Sequence, residues 1–243
     1  MMKAVPPRNN DLAGNGVSAT GRGFGLLHAD DSLLVLDKPA GLLAVPGRGE
    51  DKQDCLSARV QASFPDALIV HRLDQATSGL MLMARGAAMQ RALSRAFESR
   101  EVHKRYVAVV EGCLLPPPSA AQPSPDADKG WGLIDLPIIV DWPRRPLRII
   151  DAERGKSSRT RWHVLGFDAA TNTTRVELEP VTGRSHQLRV HLQALGHPIL
   201  GDALYAPAEV QAKAPRLLLH AAALQFTHPA TGLPLSFASR PGF

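Results

Sequence analysis

The apolar residues of this chain fall in short runs that do not alternate regularly with helical patterns, and this constrains its fold most strongly. Ala67-Leu68-Ile69-Val70 and Leu80-Met81-Leu82-Met83-Ala84 are too short for buried helices and read as buried strands. Further β-rich runs are Leu33 to Leu36, Tyr106 to Val110, 147–150, 159–166, 173–180, and stretches near 216–225 and 233–238. Helical patterning is confined to three places. Residues 52–63 look helical. In 86–100, Met89, Leu93 and Phe97 recur every fourth residue. From about 184 to 195, Leu188, His191, Leu192 and Leu195 share one face, and Gly196 and Pro198 end the pattern. Strands that outnumber helices without alternating with them predict an α+β fold around a mainly antiparallel sheet.

The chain has 243 residues, 44% of them hydrophobic, which suffices for one sizeable core. Residues 1–24 are rich in Gly, Asn and Pro and are expected to form a loose tail before one domain over 25–243. A Pro-, Ser- and Ala-rich stretch at about 115–130 reads as a surface insertion. No apolar run approaches the roughly 20 residues of a membrane span, and no secretory leader is evident. Cys55 and Cys113 lack the spacing of a disulfide framework or a zinc site, which fits reduced thiols in the cytoplasm. A net charge of +5 is compatible with a polyanionic partner.

Two polar clusters carry the candidate chemistry. The first, His71-Arg72-Leu73-Asp74-Gln75-Ala76-Thr77-Ser78-Gly79, lies between two strand candidates. It sets a carboxylate beside an arginine, and such a pair taken alone is more often a structural ion pair or turn than a reactive site. The second is Val181-Thr182-Gly183-Arg184-Ser185-His186-Gln187-Leu188-Arg189-Val190-His191. Arg184 falls at the expected helix N-terminus, where its charge adds to free backbone N–H groups. The anion held there is either a phosphate or a carboxylate. Arg144, Arg145, Arg148, Lys156, Arg159 and Arg161 form the densest basic region, with Asp141, Asp151 and Glu153 interspersed. This region is either a solvated face or a set of phosphate contacts. His186, His191, His197 and His220 do not have metal-binding spacing and read as structural.

These motifs together resemble the RluA family of pseudouridine synthases. The resemblance extends to Asp37-Lys38-Pro39-Ala40-Gly41, Tyr106 after Lys104-Arg105, Gly196-His197-Pro198-Ile199-Leu200-Gly201-Asp202, and Leu217-Leu218-Leu219-His220-Ala221. The motifs occur in the family's order over about 33–240. Val45-Pro46-Gly47-Arg48 and the stretch from Asp135 through Asp141-Trp142-Pro143-Arg144-Arg145-Pro146 are similar to a subgroup without the N-terminal S4 RNA-binding domain.

The resemblance implies a central active-site cleft and isomerisation of uridine to pseudouridine. The expected substrates are stem-loops of large-subunit rRNA and the anticodon stem-loop of tRNA. It assigns the essential carboxylate to Asp74, its pairing arginine to Arg184 and the active-site aromatic to Tyr106. Arg72 is expected to enter the space left by an extruded base. Arg144, Arg145, Lys156 and Arg189 join it as expected RNA contacts. Asp74 is left as nucleophile, stabiliser of positive charge on the sugar, or proton carrier. Tyr106 would stack on the detached uracil or assist at C5. The reaction loses no group and changes no oxidation state, so no cofactor or metal is expected. The expected protein is a cytoplasmic monomer that binds structured RNA and no membrane.

Three other functions share some of these features. A single-specificity tRNA or rRNA synthase needs only altered loop contacts. A non-catalytic RNA-binding module fits the charge, but it has no use for Asp74, Tyr106 and Arg184 together. A glycoside hydrolase normally needs a second carboxylate, and none lies near Asp74 in sequence.

Overall fold

A computed structural model of the protein describes residues 23–115 and 130–243. The expected tail, apart from Gly23 and Phe24, and the expected insertion, apart from its end residues, lie outside the described residues. Phe24 is buried in the core, so it belongs with the domain expected to begin at Gly25.

The chain opens with an antiparallel pair, β1 (Gly25–Ala29) and β2 (Leu33–Lys38). A short 3-10 turn at Glu50–Lys52 and helix α1 (Leu56–Gln61) replace the longer helix expected over 52–63. Next come β3 (Ala67–Ile69) and β4 (Ser78–Arg85), joined by the loop that carries Asp74. Helix α2 (Gly86–Glu98) and strand β5 (His103–Glu111) follow. The second half holds β6 (Trp131–Asp135), β7 (Ile138–Val140), β8 (Arg148–Ile150), β9 (Arg159–Asp168) and β10 (Thr173–Pro180). After these come α3 (Gln187–Ala194), α4 (Ala208–Gln211), β11 (Leu219–Thr227) and β12 (Pro234–Ala238).

The main sheet runs β1-β2-β4-β11-β5-β10-β9-β6, with β3 and β12 pairing off it, and β7-β8 form a separate ribbon. Among the described residues every pairing of named strands is antiparallel except β4 with β11. This is the α+β class expected from the sequence. The parallel β4–β11 contact joins the two halves of the sheet, β1-β2-β4 and β11-β5-β10-β9-β6. There Gly79, at φ +108°, lies so close to β11 that a Cβ would collide with the Ala221 backbone.

Strand periodicity divides β4 between two cores. Met81 and Met83 pack with Leu34, Leu36, Leu56 and Val60 under α1. Leu80, Leu82 and Ala84 pack with Leu33, Val35, Leu93 and Val102 under α2. With both faces covered, β4 reads as a continuous apolar run. The expected α2 stripe is present: Leu93 is buried, with Met89 and Phe97 packed against the same core. In the other half, Ala108, Val110, Val176 and Leu178 meet Leu188 and Leu192 of α3. Tyr106 touches the cores of both halves, at the seam.

Candidate active site

The Asp74 loop is pinned from below by a buried cation. Lys38, fully buried at the end of β2, donates from Nζ to the carbonyls of Pro39 (2.9 Å), Leu42 (2.7 Å) and Gln75 (3.1 Å). Burial lowers its pKa to about 8, against the pull of the Asp74 charge. Gly41 and Gln75 exchange two further bonds, Gly41 N–H to Gln75 O (2.8 Å) and Gln75 Nε2 to Gly41 O (3.0 Å). On the other side of the loop, His71 stacks on Phe97 with ring centroids 4.5 Å apart, and its Nε2 accepts the Leu82 N–H at 2.9 Å. Burial, with Lys104 nearby, lowers the His71 pKa to about 3, so the ring is a neutral acceptor.

The loop opens into a cavity of about 700 Å³ lined by Arg72, Asp74, Arg100, Lys104, Tyr106, Arg184, His186 and Arg189, among others. Asp74 is 24% exposed there. Its nearest cation is Arg189, whose Nη1 stands 3.5 Å from Oδ2, with His186 Nε2 at 3.9 Å from the same oxygen.

This overturns the expected pairing of Asp74 with Arg184. Helix α3 starts at Gln187, three residues later than the pattern implied, so Arg184 is not at its N-terminus. The Gln187 side chain explains the late start. Its Oε1 accepts the Arg184 N–H (3.0 Å) and the Thr182 hydroxyl (2.8 Å), while Nε2 donates to Arg159 O and Thr160 Oγ1 on β9. These bonds fold the residues before α3 into a turn. Arg184 is exposed at the cavity rim, with Nε 3.4 Å from Ser157 O.

Arg189, expected to contact RNA, is instead 4% exposed on α3. It makes a bidentate pair with the buried Asp202, Nε to Oδ2 at 2.8 Å and Nη2 to Oδ1 at 2.6 Å. Burial alone would lower the Arg189 pKa, but Asp202 and Asp74 outweigh it and hold the guanidinium charged. Asp202 also accepts the N–H groups of Leu204 and Tyr205, so the arginine is anchored to a rigid corner. Arginine suits this task because its planar fork can hold one carboxylate and still present a nitrogen to a second.

Tyr106 lies on β5, two strands from β4 across β11. Burial, then the Asp74 charge, raises its pKa far above the ordinary value, so its hydroxyl stays protonated. Arg72 is exposed on the cavity wall. Arg144, Arg145 and Lys156 are exposed but line no part of the cavity. Arg144 and Arg145 sit between β7 and β8, and β8 packs on α3. Arg144 pairs with Asp141 at 2.6 Å, and the Arg145 guanidinium lies 4.6 Å from the ring centre of Trp142, a residue 65% exposed.

Sequence reading missed Lys38, His186 and Asp202 as parts of this site. Asp202 was visible only as a motif member, because its partner lies 13 positions away. The structural reading holds for His191, which is buried between Thr160 Oγ1 and Leu136 O. His186 is likewise bonded, to the Tyr205 hydroxyl, while its other ring nitrogen faces Asp74. Among the described residues, no group of three or more His, Cys, Asp or Glu is placed to hold a metal ion.

A sheet divided by a central basic cavity, with a carboxylate, an anchored arginine and a half-buried tyrosine at its floor, has close counterparts among known folds. The solved structure of human RNA pseudouridylate synthase domain containing 1 superposes with a TM-score of 0.70 at 27% identity, covering 90% of this chain and 84% of that one. Human RNA pseudouridylate synthase domain containing 4 gives 0.67 at 26% identity, covering 89% and 88%. The family model described as RNA pseudouridylate synthase matches residues 32–194, and the chain belongs to that family. More particularly, it is 50% identical over 218 residues to the dual-specificity RNA pseudouridine synthase RluA of Escherichia coli K12, covering 90% of this chain and 93% of that one. The RluA of Yersinia pestis is 48% identical and is covered to 99%.

Proposed function

We propose that the protein isomerises specific uridines to pseudouridine in stem-loops of both large-subunit (23S) rRNA and tRNA, with Asp74 as the reacting carboxylate. One observation carries the assignment of Asp74. It is the carboxylate at the cavity floor whose nearest cation is itself locked, Arg189 being held by buried Asp202. The dual specificity rests on the similarity to proteins named for it.

The reaction breaks the C1′–N1 bond, turns the uracil and forms a C1′–C5 bond. The C5 hydrogen leaves as a proton and N1 ends protonated, so atoms balance without a co-reactant. The Arg189 guanidinium stands against Asp74, whether that group attacks the sugar or balances positive charge on it. Tyr106 supplies a flat face for the detached uracil and a protonated hydroxyl beside Asp74. Arg72, on the cavity wall, fills the space of the extruded uridine. Arg184, Arg100 and Lys104 at the cavity, and Arg144, Arg145 and Lys156 beyond it, receive the phosphates of the folded RNA. The folded RNA supplies the large binding surface, so the protein acts as a monomer. Free Cys55 and Cys113 accord with the cytoplasm. Among the described residues no helix is long and apolar enough to cross a membrane.

Release of tritium from transcripts labelled at uridine C5 tests this reading. Wild type should release one tritium per target uridine from rRNA and tRNA stem-loops, and Asp74→Ala none. Release from one RNA class only would replace dual with single specificity. Free uracil among the products would make the protein a hydrolase, and tight binding without release would make it a binding module.

A further inference from the structure

His186 has an unusual setting for a residue outside the expected chemistry. Its backbone is left-handed (φ 59°, ψ 13°), immediately before α3, a conformation that costs a non-glycine residue energy. That backbone turns the imidazole into the cavity, with Nε2 3.9 Å from Asp74 Oδ2. The other ring nitrogen, Nδ1, lies 2.6 Å from the hydroxyl of Tyr205.

The partners of Tyr205 determine which nitrogen carries the imidazole hydrogen. The buried hydroxyl accepts the Arg148 backbone N–H at 2.9 Å. Its own hydrogen has one acceptor among the described residues, Nδ1 of His186. Buried hydroxyls donate when an acceptor is present. Nδ1 is therefore the acceptor, and the hydrogen of the neutral ring sits on Nε2, facing Asp74. Arg189 also makes its closest approach to Asp74 through Oδ2. The Nε2–H and Arg189 Nη1 thus face the same carboxylate oxygen from 3.9 and 3.5 Å, longer than hydrogen bonds but within reach of them once substrate closes the site.

We propose that His186, set in its Nε2–H tautomer by Tyr205, is a positioning residue that fixes the rotation of the Asp74 carboxylate. This rests on the reading of Asp74 as the reacting group. The charged and titratable groups around the ring are Asp74 from its loop, Arg189 from α3, Arg148 from β8, and Asp202 beyond α3. Burial, with Arg189 and Arg148, lowers the His186 pKa against the two aspartates, which keeps the ring neutral near pH 7.

Two variants and one spectrum test the proposal. Tyr205→Phe keeps the ring that packs beside Arg189 and removes only the hydroxyl. His186→Asn tolerates the left-handed backbone but brings its amide less far towards Asp74. Nitrogen-15 spectra of the free wild-type protein should show the Nε2–H tautomer at His186, and Tyr205→Phe should shift it towards a mixture. Both variants should bind RNA with unchanged Kd and lose about 10–100-fold in single-turnover rate, the effect of slight misplacement of a reacting group. An Nδ1–H tautomer in the wild type would overturn the proposal. So would folded variants with wild-type rates beside an inactive Asp74→Ala. An active Asp74→Ala would overturn the reading of the site, and this proposal with it.

Discussion

Arg189 holds Asp202 with two nitrogens, at 2.6 and 2.8 Å, and presents the third to Asp74 at 3.5 Å. The Asp202 pair is buried and fully bonded, so it sets the position of the guanidinium. Asp74 then faces a cation that cannot swing away.

Arg189→Met should therefore abolish isomerisation and also destabilise the fold. Removing one partner of a buried pair leaves the other uncompensated, at about 3–5 kcal/mol. Arg189→Lys should keep the charge but lose the fork, giving a folded protein with a rate reduced at least about tenfold. Denaturant unfolding and single-turnover assays on both variants check this.

His71 gives stability a defined pH dependence. Its pKa in the folded protein, about 3, lies below the ordinary 6.5, because the buried ring must stay neutral. Between these values the unfolded chain binds more protons, so the His71 contribution is fully present above about pH 6.5 and is lost as pH falls towards 3. The stability difference between wild type and His71→Phe should shrink on acidification by up to about 1.4 kcal/mol per pH unit. A pH-independent difference from pH 7 to 4 would contradict this.

The exposed cations outside the cavity should act on RNA affinity and leave the chemical step unchanged. Arg144→Ala, Arg145→Ala or Lys156→Ala should each lower the salt-dependence slope of RNA binding by about one unit, with single-turnover rate at saturation unaltered. Titrations at several salt concentrations measure the slope. Three unchanged slopes would mark the region as a solvated face.

Gly79 joins the site to the scaffold. Any side chain there meets the Ala221 backbone and must hold a positive φ, so Gly79→Ala should cost at least about 2 kcal/mol. Because Gly79 is the second residue of the strand that follows the Asp74 loop, the folded fraction should also lose activity. Thermal unfolding read alongside tritium release tests both effects.

Much of the fold was legible in the sequence. The covered strand β4 reads as an unbroken apolar run, and the α2 stripe reads from Met89, Leu93 and Phe97. Each pattern is local and repeats with the period of its own element. The elements read poorly are those whose ends depend on distant partners. The start of α3 is set by Gln187 bonding to Arg159 and Thr160 on β9, and no periodicity records that. The candidate site divides in the same way. Asp74, Tyr106 and Arg72 announced themselves by motif, and the structure brings all three to one cavity. Arg184 and Arg189 sit in one motif with the same charge, and only burial separates the exposed residue from the one that faces Asp74.

The sequence by itself determined the class of fold, because strand and helix periodicity are local, and its motifs marked Asp74 and Tyr106 only through their resemblance to a family. The tertiary structure decided which arginine meets Asp74, that Lys38 is buried beneath the loop, and that His186 faces the carboxylate with Tyr205 behind it. Those relations depend on packing between residues far apart in the chain, where a few ångströms of displacement and the loss of water decide whether a charge is a surface contact or part of the site.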